Sequence, residues 1–489
     1  MLNLEYEQKS RIGFTYIMDL ISPATPYGRE TLRQLRPAIP GQEESLHCEL
    51  QNVEKTLSAM QNLNQEYSKI EQTLKQVKDI RTSIRQIGEE LSEVDLFEIK
   101  RFLLQLSEIT PLFEKINQVA NYHSITIKDA ASALELLDPE GTKVATFHIS
   151  NRHFPALAAT RAEKKETERK LRENPTDEEK VELTLRRTNL VAQEQDEEFT
   201  ALKILSKKLK PWRKLLLETT DAIGRLDLVM QKAKLAAAYN TCMPKVEGAT
   251  ICFKEMTNPY VASMLTQHGS AFTPLSFELH KGTTVITGAN MGGKSVALKT
   301  LALNILLIHC GFYPFASEAR CSLLSTMHLV SDDLEATDRG LSSFGGEIVQ
   351  LGKILREIDK GNALILLDEF ARGTNPTEGG AIARGVCEYM NIQDAYTVMA
   401  THYEGVAALA NTHYQVVGLS KINQDTELTN ELANVPINER VAVIANYMDY
   451  GLIRVSAEKT LPMDAINICK MLGLEEEIID MIDSNISEN

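Results

Sequence analysis

The stretch "VITGANMGGKSVALKT", residues 285–300, decides the fold. An apolar run ends in a small-residue loop, Gly288-Ala289-Asn290-Met291-Gly292-Gly293-Lys294-Ser295, and a periodic helical segment follows. The loop fits G-x4-G-K-[ST], and it stands between strand and helix as that motif requires. Its glycines let backbone N–H groups turn inward around phosphate oxygens, and the helix N-terminus adds partial positive charge. Lys294 is expected to reach the β- and γ-phosphates of ATP, with Ser295 as a ligand of Mg²⁺. The bland alternative, a glycine turn with a solvated lysine, does not explain this context.

Working outward, strands and helices alternate from Lys245 onward. "TTVITG", "ALILLDEF" and "AYTVMATH" are short apolar runs ending in polar residues. Near-continuous apolar strands in such alternation imply a mostly parallel sheet covered on both faces. The second run delivers Asp368 and Glu369 to its carboxyl end, 74 residues beyond Lys294. Ligands of such sheets bind at that edge. Asp368 is suited to the magnesium shell and Glu369 to polarising an attacking water as general base; two acids capping a strand are the alternative. The third run ends in His402, placed to sense the γ-phosphate or orient the water, whereas His309 and His413 have no such placement. The loop "DRGLSSFGGEI", residues 338–348, offers vicinal serines and glycines as phosphate hydrogen-bond donors.

Upstream, residues 42–137 hold only Gly88 and Pro111 as breakers and show apolar spacing of three and four, the texture of long helices. "LLDPEGTKVATFHISNRHFP" then reads as a hairpin. Helix texture returns over 157–240 with a turn at "ENPTDEEK", as in a projecting antiparallel arm. The expected architecture is an all-α core or lever over 1–136, a hairpin and arm over 137–244, an α/β P-loop ATPase domain over 245–431, and a terminal strand with a helical dimerisation tail over 432–489.

At 489 residues the chain exceeds one ordinary core. Its net charge of −15 argues against wrapping nucleic acid along the whole surface. The arm is nearly neutral, with 15 Lys and Arg against 13 Asp and Glu over 161–220. No secretory signal or membrane span is visible, and the seven cysteines form no CxxC pair. A reducing, cytoplasmic setting is expected.

Taken in order, "TGANMGGKS", "LSSFGGEI", "LLDEFARGTNPTEGGAIA" and "ATHY" resemble the phosphate loop, signature, Walker B and histidine motifs of the MutS family of ABC-type ATPases. "DLISPATPYGRETLRQLRP" and "LDLVMQKAKLAAAYNTCMPKV" are similar to the start of that family's helical core and to its junction with the ATPase domain. The resemblance spans nearly the whole chain. Ala289 stands at the family's proline, and Ser343 at its threonine. By this resemblance Gly288 to Val296 cradle the phosphates, Lys294, Glu369 and His402 are catalytic, and Ser295 and Asp368 serve magnesium. Ser342 or Ser343 contacts nucleotide held by a second protomer, so a homodimer is implied. Phe272, in "GSAFTPL", matches the adenine-stacking position, though an aromatic there also suits a core.

The detail of "GGKSVALKT" and "GTNPTEGG" is similar to the MutS-type paralogues without mismatch recognition. Their C-terminal nuclease-like domain and the family's mismatch-sensing N-terminal domain have no counterpart in this sequence. Two clients follow as expectations. One is DNA, gripped by a nucleotide-driven dimeric clamp that reads no mismatch. The other is a protein, as for the reactivase ATPase that serves the cobalamin enzyme lysine 5,6-aminomutase, with an accessory subunit. A structural-maintenance-type ATPase is excluded, because hundreds of heptad residues separate its two Walker motifs.

Overall fold

The computed structural model describes residues 2, 4–173, 175–267, 269–288, 293–331, 343–358, 361–418, 432, 435–436, 440, 443–444, 448–455 and 469–487. The chain forms two compact units, neither contiguous in sequence. Met1–Ile21, Arg36–Gln51 and Lys234–Asn489 make one, and Ser22–Leu35 with Asn52–Ala233 make the other. The segment 1–136 is thus divided, because long-range polar contacts claim its early residues. The Gln8 amide donates to the Leu329 carbonyl at 2.9 Å, and the Asn258 amide to that of Ile12 at 3.1 Å. The Ala38 N–H donates to the His309 carbonyl at 2.7 Å. No local texture encodes such pairings.

The helical unit is built around a large apolar core; of the first eleven helices of the chain, Tyr6–Arg11 and Phe14–Asp19 belong to the other unit, and Glu43–Asn62 and Arg213–Ala238 are divided between the two. In chain order the helices are α1 (Tyr6–Arg11), α2 (Phe14–Asp19), α3 (Pro26–Arg33), α4 (Glu43–Asn62), α5 (Asn64–Leu74), α6 (Arg81–Gln86), α7 (Glu93–Ala120), α8 (Ala131–Leu137), α9 (Pro155–Arg172), α10 (Asp177–Leu209) and α11 (Arg213–Ala238). Gly88, at φ +97°, breaks the chain where expected, whereas α7 runs through Pro111. The Ser92 hydroxyl and the Asp95 carboxylate cap α7 reciprocally, fixing its start. Leu96, Ile99, Leu103, Leu106 and Ile109 line its buried face at helical spacing.

The hairpin expected over 137–156 is not formed: residues 138–154 contain no strand. The physical reason lies in the side chains. Asp138 accepts from the Lys143 N–H and the Thr142 hydroxyl, both at 2.8 Å, and pairs with buried Lys100 at 3.1 Å. Arg152 donates to the Pro139 carbonyl and Arg161 to that of Ile149. Backbone groups that a hairpin would pair across strands are taken by local side chains instead.

The expected antiparallel arm is present as α9 and α10. Arg161 pairs with Glu198, Lys164 with Glu194 and Glu168 with Arg187, so rising numbers on one helix meet falling numbers on the other. The turn expected at "ENPTDEEK" ends in a capping box, Thr176 with Glu179.

The other unit holds the strands β1 (Ile251–Met256), β2 (Leu275–Leu279), β3 (Gly282–Thr287), β4 (Glu318–Arg320), β5 (Thr326–Ser331), β6 (Ala363–Asp368), β7 (Ala395–Ala400), β8 (Thr412–Gly418) and β9 (Asp449–Arg454). Its six-stranded sheet runs β5-β6-β7-β3-β8-β9, parallel throughout except for the antiparallel edge pair β8–β9. A separate antiparallel sheet, β2-β1-β4, was not legible in the sequence. Every residue of β3, β6 and β7 is buried, as expected for strands covered on both faces.

The later helices are α12 (Pro259–Gln267), α13 (Lys294–His309), α14 (Ser343–Leu355), α15 (Pro376–Asn391), α16 (Val406–Leu409) and α17 (Glu476–Ser487). Ala363, Ile365 and Leu367 alternate along β6 into a cluster with Leu351 and Ile354 of α14 and Ala383, Cys387 and Met390 of α15. Leu364 and Leu366 point to the opposite face by the pleat of the strand. α13 contacts β6 and β7. Three central strands therefore end at one edge, carrying Gly288, Asp368 and, two residues past β7, His402.

Candidate active site

Gly293 has φ +82° and forms the N-cap of α13, a left-handed conformation that favours glycine. A side chain there would also lie 3.1 Å from the Tyr450 ring. The helix that follows puts Lys294 and Ser295 in its first turn. Lys294 is 3% exposed. Its ammonium donates to the Gly288 carbonyl at 2.8 Å and lies 3.8 Å from the Glu369 carboxylate. Burial pushes this amine below the usual lysine range, while the Glu369 and Asp368 carboxylates oppose that shift.

The Ser295 hydroxyl donates to Asp368 Oδ1 at 2.9 Å, joining the phosphate-loop helix to the end of β6. Burial raises the Asp368 carboxyl above its ordinary value, against the hydrogen bond from Ser295 and the charge of Lys299. A hydroxyl and a carboxylate held together at a strand's carboxyl end form a hard oxygen donor set that fits Mg²⁺.

Beyond Asp368 the chain turns sharply. Glu369 and Ala371 both occupy the left-handed region, at φ +50° and +66°, on either side of the buried Phe370. Each such non-glycine residue costs of order 1–3 kcal/mol and persists only where the surroundings hold it. The Glu369 N–H donates to the Ala400 carbonyl at 2.9 Å, and Arg372 donates to Glu369 Oε2 at 2.6 Å. His402 packs its ring on Tyr403 with centroids 4.6 Å apart. Desolvation lowers its pKa, with Glu369 opposing and Lys294 and Arg372 reinforcing that direction.

A cavity of about 320 Å³ opens beside this cluster, walled by Val261, Leu265, Phe272 and Tyr450, with Lys294 and Ser295 at its polar end. Gly293, Val296 and Glu369 also border it. Apolar walls with a few convergent polar groups suit a purine nucleotide whose phosphates meet the lysine.

The structure thus brings together Gly288, Gly293, Lys294, Ser295, Val296, Phe272, Asp368, Glu369 and His402. Ala289, Asn290, Met291, Gly292 and Ser342 lie outside the described residues. Ser343 is the first residue of α14, and its side chain is also outside them. Sequence reasoning missed Tyr450, which lies in β9 and belongs to no motif, and Arg372, which stands inside a quoted motif without a role. His309 and His413, given no role, are structural. His309 bridges Ala38 and Leu324, and His413 meets the Thr287 hydroxyl at 2.7 Å.

A phosphate-loop helix, a carboxylate-bearing neighbouring strand and a nucleotide-sized cavity at the carboxyl edge of a parallel sheet define a P-loop ATPase. Residues 284–474 match the family model described as MutS domain V. Relatives of the chain carry the name endonuclease MutS2. The protein of Acetivibrio thermocellus is 31% identical over 201 residues, 40% of this chain and 24% of the relative. That of Geobacillus kaustophilus is 29% identical over 274 residues, 56% and 32%. That of Brevibacillus brevis is 27% identical over 312 residues, 63% and 36%. The chain spans about a quarter to a third of the length of the curated relatives it matches. Among the described residues, no helix is long and apolar enough to cross a membrane.

Proposed function

We propose that this protein couples ATP binding and hydrolysis to the opening and closing of a dimeric clamp on DNA. The observation that carries the reading is the convergence of Lys294, the Ser295–Asp368 pair and Glu369 on one cavity. Phe272 and Tyr450 flank the base, and Lys294 exchanges its present carbonyl and carboxylate neighbours for phosphate oxygens. Ser295 and Asp368 would hold Mg²⁺, which when bound would supply positive charge to the transferring phosphoryl group. Glu369 accepts a proton from the attacking water, and His402, at the end of the next strand, orients that water. DNA is favoured as client because the named relatives are MutS2 endonucleases. The protein-remodelling alternative gains no support from them.

Binding to duplex and branched DNA, titrated with salt and with or without ATP, tests the client. The reading expects affinity that falls steeply with salt and changes with nucleotide. Absence of salt-dependent binding in every nucleotide state rejects DNA as the client.

A further inference from the structure

Within the strained turn, both backbone polar groups of Ala371 are held by buried side chains. Its N–H donates to Glu347 Oε2 at 2.8 Å, and its carbonyl accepts from the Tyr403 hydroxyl at 2.8 Å. Glu347 and Tyr403 are both buried, at 4% and 8% exposure. They come from different elements: Glu347 sits near the start of α14, and Tyr403 follows His402 beyond β7. The grip is closed by α15, which passes so near that a Cβ on Gly379 would lie 2.3 Å from the Tyr403 hydroxyl oxygen and 2.8 Å from the Ala371 carbonyl. Tyr403 is held in turn by its own N–H, which donates to the Thr401 hydroxyl at 3.1 Å.

Glu369 lies two residues before this grip, in its own left-handed conformation, with Phe370 anchored in the core between them. The direction of its carboxylate follows from this turn, which is also held by the Glu369 N–H on the Ala400 carbonyl and the Arg372 N–H on the Glu369 carbonyl. We propose that Glu347 and Tyr403 are positioning residues for hydrolysis, which hold the 369–371 turn and so aim the Glu369 carboxylate. One residue thereby joins the start of α14, the carboxylate strand and the histidine strand. This rests on the reading of Glu369 as the base.

The test compares Tyr403→Phe, Glu347→Met and Glu347→Gln with Glu369→Gln as control. ATP affinity, kcat and melting temperature are measured on each full-length protein. Misplacing a catalytic group by about 1 Å costs on the order of 10²-fold, so Tyr403→Phe and Glu347→Met are expected to lower kcat by at least about tenfold. ATP affinity stays within about twofold, because that binding is made by other residues. Glu347→Gln restores most of the rate, since its amide oxygen accepts from the Ala371 N–H. Wild-type turnover in Tyr403→Phe and Glu347→Met, beside an inactive Glu369→Gln, overturns the proposal and leaves the base assignment standing. Joint loss of rate, affinity and melting temperature, with no rescue by Glu347→Gln, reduces both residues to structural supports and also overturns it. Normal turnover in Glu369→Gln removes the base assignment and the proposal with it.

Discussion

Lys294 keeps an ammonium where burial works against it, and two carboxylates on the neighbouring strand oppose the loss of its charge. A cation so placed is prepared for a polyanion, which explains why this residue type ends the glycine loop. His309 shows the opposite solution at the far end of the same helix. Its Nδ1 faces the Ala38 carbonyl at 2.7 Å and its Nε2 faces the Leu324 N–H at 3.3 Å. A carbonyl only accepts and a backbone N–H only donates, so the ring is neutral with its hydrogen on Nδ1. Burial drops its pKa to about 4 from the ordinary histidine value of 6.5. The folded form therefore rejects the proton that the unfolded chain takes up. His309 contributes stability in full above its unfolded pKa and loses it as pH falls through the folded one, a swing on the order of 3 kcal/mol. Urea unfolding of wild type and His309→Asn at about pH 7 and about pH 4 reads the difference. The wild type is expected to lose more stability than the variant, and parallel losses exclude His309 as the source.

At the scale of elements, the arm decides what its charge can do. Arg186 and Arg187 are paired with glutamates across α9 and α10, with about half of each arginine side chain exposed. Exposed pairs of this kind are worth about 0.2–1 kcal/mol, little enough to be given up to a phosphate. If the arm touches DNA, replacing both arginines with Gln makes the dependence of log K on log salt shallower by about 1–2, while circular dichroism keeps its helical signal. An unchanged slope puts the DNA elsewhere. The elements themselves were legible to different degrees. β3, β6, β7 and β9 were each readable because apolar runs ended at polar or turn residues. The phosphate loop stood out because glycines, lysine and serine have fixed chemistry at fixed spacing. The hairpin at 137–156 failed because turn residues served side-chain capping by Asp138 and Arg152 rather than strand pairing. The β2-β1-β4 sheet stayed hidden because its strands mix buried with exposed polar residues and form no continuous apolar run. Tyr450 was invisible as a wall of the cavity, since only the register of β9 against β8 brings it there.

At the scale of the molecule, sequence texture divided the chain where composition changes, but the fold divides it where long-range contacts change. Residues 1–21 and 36–51 join the ATPase unit through contacts such as Gln8 to Leu329, which no window of sequence contains. That unit gathers a buried lysine, a hydroxyl–carboxylate pair and a strained acidic turn at one sheet edge. The central claim is that this edge hydrolyses ATP through Glu369. Single-turnover hydrolysis by Glu369→Gln, with bound ATP measured in the same sample, tests it most directly. The account predicts retained ATP binding with hydrolysis slowed by at least about 10²-fold, because positioning and charge stabilisation supply most of the catalysis. Hydrolysis at the wild-type rate by a Glu369→Gln protein saturated with ATP would contradict it.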